Sequence, residues 1–145
     1  MGIIAIDTSG QIKVNPDVWI MAVRNDGKHY FGICINHDYQ KQFENEKDWV
    51  EKLNAVLFYK TASRLIRCND CIVIDKDFQG RRASYIIQCM NKLFSRYRRD
   101  IPDIQFIPAR FSKEVRIAHK MVQRARHKEI SVQRNPLIKE EFQYL

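Results

Sequence analysis

Two short apolar runs, each closed by an aspartate, constrain the fold of this chain more than any other feature of its sequence. The first reads Ile-Ile-Ala-Ile-Asp at residues 3–7, and the second reads Cys-Ile-Val-Ile-Asp at residues 71–75. Continuous apolar runs of this length are typical of strands that are buried on both faces. Open α/β sheets bind ligands at the carboxyl ends of their strands. The two runs therefore predict an α/β sheet with Asp7 and Asp75 at its ligand-binding edge.

The rest of the sequence predicts a hairpin and three helices. Residues 25–27, Asn-Asp-Gly, suit a tight turn between two apolar segments, which predicts a hairpin over residues 18–35. Further along, apolar residues recur at intervals of three and four, the pattern of an amphipathic helix. A polar loop is expected at residues 37–46. The predicted elements, in chain order, are strands at about 3–7, 18–23 and 28–35, a helix at 47–67, a strand at 71–75, a helix at 80–97, a strand at 104–107 and a helix at 113–128.

This order predicts a single α/β domain over residues 1–145, with its core at about 1–128 and a C-terminal tail at about 129–145. Strands one to three would form an antiparallel meander, and strands four and five would run parallel beside it. The result is a five-stranded mixed sheet flanked by helices. Strands one and four are expected to be neighbours, which would bring Asp7 and Asp75 together.

The composition indicates a packed globular protein. Apolar residues make up 45% of the chain, which favours a folded core over disorder. No apolar run is long enough to cross a membrane, and the first residues lack the basic start and apolar stretch of a signal peptide. We therefore expect a cytoplasmic protein with no membrane partner.

Positive charge is concentrated in the second half of the chain. Residues 1–60 carry 7 Lys or Arg and 8 Asp or Glu, whereas residues 61–145 carry 18 and 9. This asymmetry favours a polyanionic partner, and nucleic acid is the partner expected. The alternative is a basic surface that is merely solvated. The residues predicted to contact nucleic acid lie at the start of the second predicted helix or along the last one, and are Arg81, Arg82, Lys113, Arg116, Lys120, Arg124 and Arg126, with Arg110 just before them.

The four cysteines fall into two groups. Cys34 and Cys89 lie in apolar segments and are expected to be buried thiols. Cys68 and Cys71 have the C-x-x-C spacing of a zinc or redox pair. A zinc site needs two more ligands, and the sequence has no second pair of this kind. The pair could instead form a local disulfide or remain as two free thiols.

The strand order and the two aspartates resemble the ribonuclease H-like superfamily, which includes ribonucleases H, retroviral integrases, Holliday-junction resolvases and Piwi domains. Asp-Thr-Ser-Gly at residues 7–10 is similar to the first-strand Asp of that family and its small turn residues. Ile-Asp-Lys-Asp at residues 74–77 is similar to the segment that carries the fourth-strand Asp. The resemblance covers roughly residues 1–128 and implies a nuclease that depends on Mg²⁺ or Mn²⁺.

Two further site residues follow from the resemblance. Ribonucleases H carry a glutamate near the start of the first helix, and Glu51 is the best match, with Glu46 and Asp48 as alternatives. His119 is similar to the last ligand of Piwi domains, which lies on the closing helix, and Glu114 is its alternative.

The resemblance also implies how these residues would share the work. Two-metal hydrolysis needs ligands that hold two cations about 4 Å apart. Asp7 would bridge both cations, Glu51 and Asp75 would hold one, and His119 the other. Asp77 is a reserve candidate beside them. Each residue also has a structural alternative: a turn for Asp7, a helix cap for Asp75, solvent exposure for Glu51 and core packing for His119.

Three functions are compatible with these features. The first is a metal-dependent nuclease that acts on DNA, RNA or a hybrid, as a monomer, a homodimer or part of a larger complex. The second is a non-catalytic nucleic-acid-binding module of the same fold. The third is an interaction subunit that docks through the tail around Phe142 and Tyr144.

Overall fold

The computed structural model describes residues 2–98 and 100–145. Six strands form one mixed sheet in the order β5-β4-β1-β2-β3-β6. The strands are β1 (Ile3–Ser9), β2 (Val18–Arg24), β3 (Tyr30–Ile35), β4 (Cys71–Asp75), β5 (Asp103–Ile107) and β6 (Gln133–Arg134). The helices are α1 (His37–Lys41), α2 (Trp49–Ser63), α3 (Gly80–Tyr97), α4 (Lys113–Arg126) and α5 (Lys139–Tyr144), with a short 3-10 helix at Ala109–Phe111.

The predicted mixed α/β sheet is confirmed, but the predicted number of strands is wrong. β1, β2 and β3 form the antiparallel meander, and β4 and β5 run parallel beside β1. The sixth strand, β6, pairs in parallel with β3 at the far edge. It has only two residues and both are exposed, so it carries no periodic pattern that the sequence could reveal.

The predicted pairing of strands one and four is confirmed. Ile6 of β1 is paired with Ile74 of β4, and the two strands are parallel. Asp7 and Asp75 follow these paired residues directly, so both aspartates lie at the same carboxyl edge of the sheet. The hairpin of β2 and β3 is also present.

The sheet is covered on both faces, which explains the continuous apolar runs of its central strands. Ile4 and Ile6 pack into the core formed with α2 and α3, whereas Ala5 packs into a second core formed with α4. The apolar stripe of α4 lies in that second core, and its residues include Val115, Ala118, Val122 and Ala125. Ser112 caps this helix, because its Oγ accepts a hydrogen bond from the Val115 amide at 3.2 Å.

The helix predicted at residues 47–67 differs from expectation. It spans only Trp49–Ser63, and every residue from 53 to 59 is buried. It is therefore not amphipathic, because β2 and β3 cover one side while α3 and α5 cover others. The buried polar side chains are satisfied within the helix: Asn54 donates to the Val50 carbonyl at 2.8 Å, and Thr61 donates to the Leu57 carbonyl at 3.0 Å.

The segments that the sequence left without structure contain two more helices. The expected polar loop at 37–46 begins with α1, which Asn36 caps by accepting a hydrogen bond from the Tyr39 amide at 2.9 Å. The tail contains α5, whose Phe142 is buried against Phe43 with ring centroids 4.6 Å apart. Phe142 is therefore not free to contact a partner, whereas Tyr144 of the same helix is 46% exposed, and the docking tail stays a prediction.

The four cysteines all lie within the described residues and are not joined by disulfides. Cys34 and Cys89 are buried, as predicted, while Cys68 is exposed. Among the described residues, no helix combines the length and the apolar character needed to span a membrane.

A buried ion pair connects two segments of the chain at the end of the sheet opposite the two aspartates. Arg24, at the end of β2, donates to Asp70 Oδ2 at 2.5 Å and to the Leu65 carbonyl at 2.8 Å. Asp70 also accepts from the Arg67 amide at 2.7 Å. Burial acts to raise the pKa of Asp70, but the bonds from Arg24 and Arg67 outweigh it and lower the pKa below its usual value. The pair therefore ties β2 to the loop that precedes β4.

We predict that Arg24→Met destabilises the protein by about 3–5 kcal/mol, because it leaves a buried carboxylate without its cation. Urea unfolding would measure the loss. The double variant Arg24→Met with Asp70→Leu should recover part of it, since no buried charge remains. Arg81→Met, at an exposed arginine, serves as the matched control. Wild-type stability in the single variant would contradict the role of this pair.

Candidate metal centre

Three aspartates converge at the carboxyl edge of the sheet. Asp7 lies in β1, Asp75 ends β4, and Asp77 lies in the loop that follows β4. Each offers a carboxylate oxygen, and the three oxygens lie within 4.8 Å of one another. The structure therefore brings together two of the predicted ligands, Asp7 and Asp75, with the reserve candidate Asp77.

Asp7 and Asp75 both lie on the face of the sheet that α4 covers, because side chains alternate between the two faces along a strand. Asp7 is two residues beyond Ala5, and Asp75 is two residues beyond Val73. Ala5 and Val73 both pack in the core beneath α4. Since residues two apart on a strand share a face, the two aspartates lie on the α4 side as well.

Asp77 joins the cluster through the geometry of its loop. Its amide donates to the Asp75 carbonyl at 2.8 Å, which folds the chain back just after the strand. Its Oδ2 accepts a hydrogen bond from Thr8 Oγ1 at 3.0 Å. In the sequence, only the Asp-x-Asp spacing of residues 75–77 indicated that Asp77 could belong to the site. Its contact with Thr8 could not be predicted, because that contact forms only when β1 and β4 pair.

The carboxyl group of Asp7 is held in an unfavourable place for a negative charge. Only 1% of the residue is exposed. Burial raises its pKa to about 7; the hydrogen bond with His119 opposes the rise, and the adjacent Asp75 carboxylate adds to it. Partial burial likewise raises the pKa of Asp77, with the Thr8 hydrogen bond opposing and the charge of Asp75 adding. A bound cation would relieve this repulsion.

His119 lies beside Asp7, as the sequence predicted for a site residue. It projects from α4, and its Nδ1 is 2.8 Å from Asp7 Oδ2. Its side chain remains 58% exposed, so it is not packed in the core. One ring nitrogen is therefore fixed by Asp7, while the ring as a whole stays open to solvent.

Glu51 lies near the aspartates but does not join their cluster. It occupies the first turn of α2, and its Oε1 accepts a hydrogen bond from Arg82 Nε at 2.8 Å. The α2 helix covers the face of the sheet opposite α4, which is why Glu51 is separated from Asp7. It lines a cavity of about 540 Å³ together with Thr8 and Asp77, and Asp48 lines the same cavity.

One of the three aspartates, Asp77, lines two cavities. A second cavity, of about 500 Å³, is lined by Trp19, Asp77 and Arg126. Thr8, Gly10 and Val14 line both cavities, so the loop between β1 and β2 forms the wall between them. Asp77 is common to both.

Gln40 holds that loop in place, a role that no pattern in the sequence indicates. Its side chain is buried, its Oε1 accepts from the Lys13 amide at 2.8 Å, and its Nε2 donates to the Asn15 carbonyl at 3.0 Å. Gln40 lies in α1, within the segment 37–46 that was expected to be a polar loop. The neighbouring residues show no pattern that would predict its burial.

Two of the predicted basic residues, Arg82 and Arg126, contact groups near the same edge. Arg82 stacks over the Phe78 ring at 4.9 Å while it pairs with Glu51. Arg126 donates to Ser9 Oγ at 3.4 Å, next to the second cavity. The other predicted contacts are also exposed, and they are Arg81, Lys113, Arg116, Lys120 and Arg124.

Comparison of the chain with models of protein families finds no match, and comparison with curated proteins finds none either. The function therefore has to be inferred from the site itself.

In EDTA, we predict that stability falls as the pH rises from about 4 to about 7. The native state keeps the Asp7 proton over this range, because its pKa is raised from 3.8 to about 7, whereas the unfolded chain releases it. Each pKa unit is worth about 1.4 kcal/mol, so a loss of a few kcal/mol is expected. Urea unfolding at several pH values would measure it.

The Asp7→Asn variant removes the titrating group and should lose less stability over the same pH range. Glu44→Gln, at an exposed carboxylate far from the cluster in sequence, is the matched control and should behave like wild type. Equal pH slopes for wild type and Asp7→Asn would contradict the prediction.

Proposed function

We propose that the protein is a nuclease that hydrolyses phosphodiester bonds and depends on Mg²⁺ or Mn²⁺. The observation that carries the proposal is the cluster of Asp7, Asp75 and Asp77, whose carboxylate oxygens lie within 4.8 Å of one another. Hard oxygen ligands of this kind suit Mg²⁺ and Mn²⁺. The chain has a net charge of +8, which favours a polyanionic substrate.

The sheet supports a ribonuclease H-like fold as part of the same proposal. Its first five strands follow the order β5-β4-β1-β2-β3, with β2 antiparallel to β1 and both β4 and β5 parallel to their neighbours. This is the arrangement that the resemblance implies, with its two strand aspartates on adjacent strands.

The proposed roles divide between the two faces of the sheet. Asp7, Asp75 and Asp77 would hold a cation, which supplies Lewis acidity and lowers the pKa of water. On the α4 side, Asp7 orients the His119 ring through their hydrogen bond, as carboxylates do for histidines in metal sites. On the α2 side, Glu51 would contribute to a second cation only after leaving Arg82, which then becomes available to a substrate phosphate.

The first test is cleavage of labelled single-stranded, duplex, hybrid and junction substrates with Mn²⁺ or Mg²⁺. We predict that Asp75→Asn lowers the rate by about 100-fold or more, since even residues that only support metal ligands contribute about 10- to 100-fold. Glu44→Gln should cleave at the wild-type rate. Cleavage that persists in Asp75→Asn, or that continues in EDTA, would contradict the proposal.

A second prediction concerns Glu51. We expect Glu51→Gln to reduce cleavage by about 10-fold or more, while calorimetry shows the same Mn²⁺ affinity for the cluster of three aspartates. The reason is that Glu51 lies on the opposite face of the sheet and pairs with Arg82 rather than with the cluster. A large loss of Mn²⁺ affinity, or full cleavage activity, would contradict the proposed role.

The alternative function is a non-catalytic nucleic-acid-binding module. The exposed basic residues of α4 favour it, since they could bind phosphates without any metal. Binding without cleavage in both wild type and Asp75→Asn would support this alternative over the nuclease.

A further inference from the structure

Phe111 is a large aromatic side chain that points into solvent just after β5, the strand next to the one that Asp75 ends. It is 71% exposed and ends the short 3-10 helix Ala109–Phe111. The guanidinium group of Arg110 lies over its ring, 4.7 Å from the centroid. A single exposed apolar residue is ordinary on a protein surface. An exposed ring paired with a cation at the edge of a basic surface has a more specific chemical character.

The ring is carried by a well-anchored turn. The Phe111 amide donates to the Pro108 carbonyl at 2.9 Å, and the Ser112 amide donates to the Ala109 carbonyl at 3.1 Å. Arg116 of α4 also donates to the Ala109 carbonyl at 2.9 Å. These bonds fix the turn between β5 and α4, so the backbone that carries the ring is ordered before any ligand arrives.

The turn lies at the same edge of the sheet as the three aspartates. Ile107, the last residue of β5, is paired with Asp75. Neighbouring strands are about 4.8 Å apart, and the four residues from Ile107 to Phe111 span at most about 14 Å. The Cα atom of Phe111 is therefore within about 19 Å of that of Asp75, a distance that a few nucleotides bridge.

The charges around the ring favour an anionic ligand. Arg110, Lys113 and Arg116 are exposed on the turn and the first turns of α4. Glu114 is the acidic residue among them, and it is partly buried against the Ser112 hydroxyl at 3.4 Å. A ligand that suits both the ring and these cations has a flat aromatic face joined to a phosphate, which describes a nucleotide base within a strand.

We propose that Phe111 stacks on an unpaired base, so that the substrate is nucleic acid with single-stranded character beside the bond that is cut. The inference rests on the proposed nuclease function and names its substrate class. A base within a duplex is already stacked on both faces, whereas an unpaired base offers its face to the ring. Arg110 and Arg116 contact the adjoining phosphates.

The test compares binding of single-stranded and duplex oligonucleotides of about 15 nucleotides, in EDTA so that no cleavage occurs. Phe111→Ala should weaken single-strand binding by about 5- to 150-fold, since stacking of one base is worth about 1–3 kcal/mol. Duplex binding should stay unchanged, and Phe111→Trp should restore the single-strand affinity. Leu137→Ala, at a side chain that is 94% exposed on the tail, is the matched control.

A spectroscopic readout separates stacking from simple attraction. An oligonucleotide carrying 2-aminopurine should lose fluorescence on binding wild type and Phe111→Trp, and keep it on binding Phe111→Ala. Single-strand affinity unchanged in Phe111→Ala would overturn the inference. Equal losses of affinity for single strand and duplex in Phe111→Ala would also overturn it. The same holds if Phe111→Ala loses affinity only for phosphatidylserine vesicles and keeps its affinity for nucleic acid.

The failure of this inference differs from the failure of the proposed function. If Phe111→Ala binds like wild type while Asp75→Asn still abolishes cleavage, the stacking role is overturned and the nuclease stands. If wild type binds no nucleic acid of any kind, both are overturned together.

Discussion

The parallel pairing of β1 with β4 is the constraint on which the rest of the site depends. The pairing of Ile6 with Ile74 sets both strands in one register, and both are buried on their two faces. A slip of one residue would exchange the faces of every side chain on a strand, which would move Asp7 away from α4 and its neighbour His119. The two cores therefore fix the position of the aspartates, because a slip would force Ile4 and Ile6 into the space beneath α4 that the small side chain of Ala5 fills.

The aspartates in turn reduce the stability of the folded state locally, within a sheet that is otherwise well packed. Asp7 is buried beside another carboxylate in a protein that is otherwise strongly basic. Local arrangements that reduce stability are typical of functional sites, where the surrounding structure compensates for them. Here the compensation includes the two apolar cores and the Arg24–Asp70 pair at the opposite edge. The same sheet thus carries a satisfied charge pair at one edge and a crowded acidic cluster at the other.

What the sequence could predict follows from the range of the interactions involved. The apolar runs of β1 and β4 were visible because burial on both faces leaves them continuous, and that is enough to locate Asp7 and Asp75, although β1 continues beyond Asp7 to Ser9. Asp77 depends on a loop that folds back, and the partner of Glu51 depends on how α3 lies beside α2. Strand β6, buried Gln40 and the covered outer side of α2 also arise from contacts between distant segments. No local pattern encodes such contacts.

The packing of the C-terminal segment also affects how the chain can fold during synthesis. Phe142 closes over Phe43, and β6 pairs with β3 about a hundred residues earlier in the chain. Contacts of such long sequence separation form late and slow the folding of a domain. While the chain emerges from the ribosome, α2 can pack on β2 and β3 but lacks the cover that α5 provides. A growing chain therefore keeps part of its apolar interior exposed until residues 139–144 have left the ribosome, and exposed apolar surface of this kind promotes aggregation during that interval.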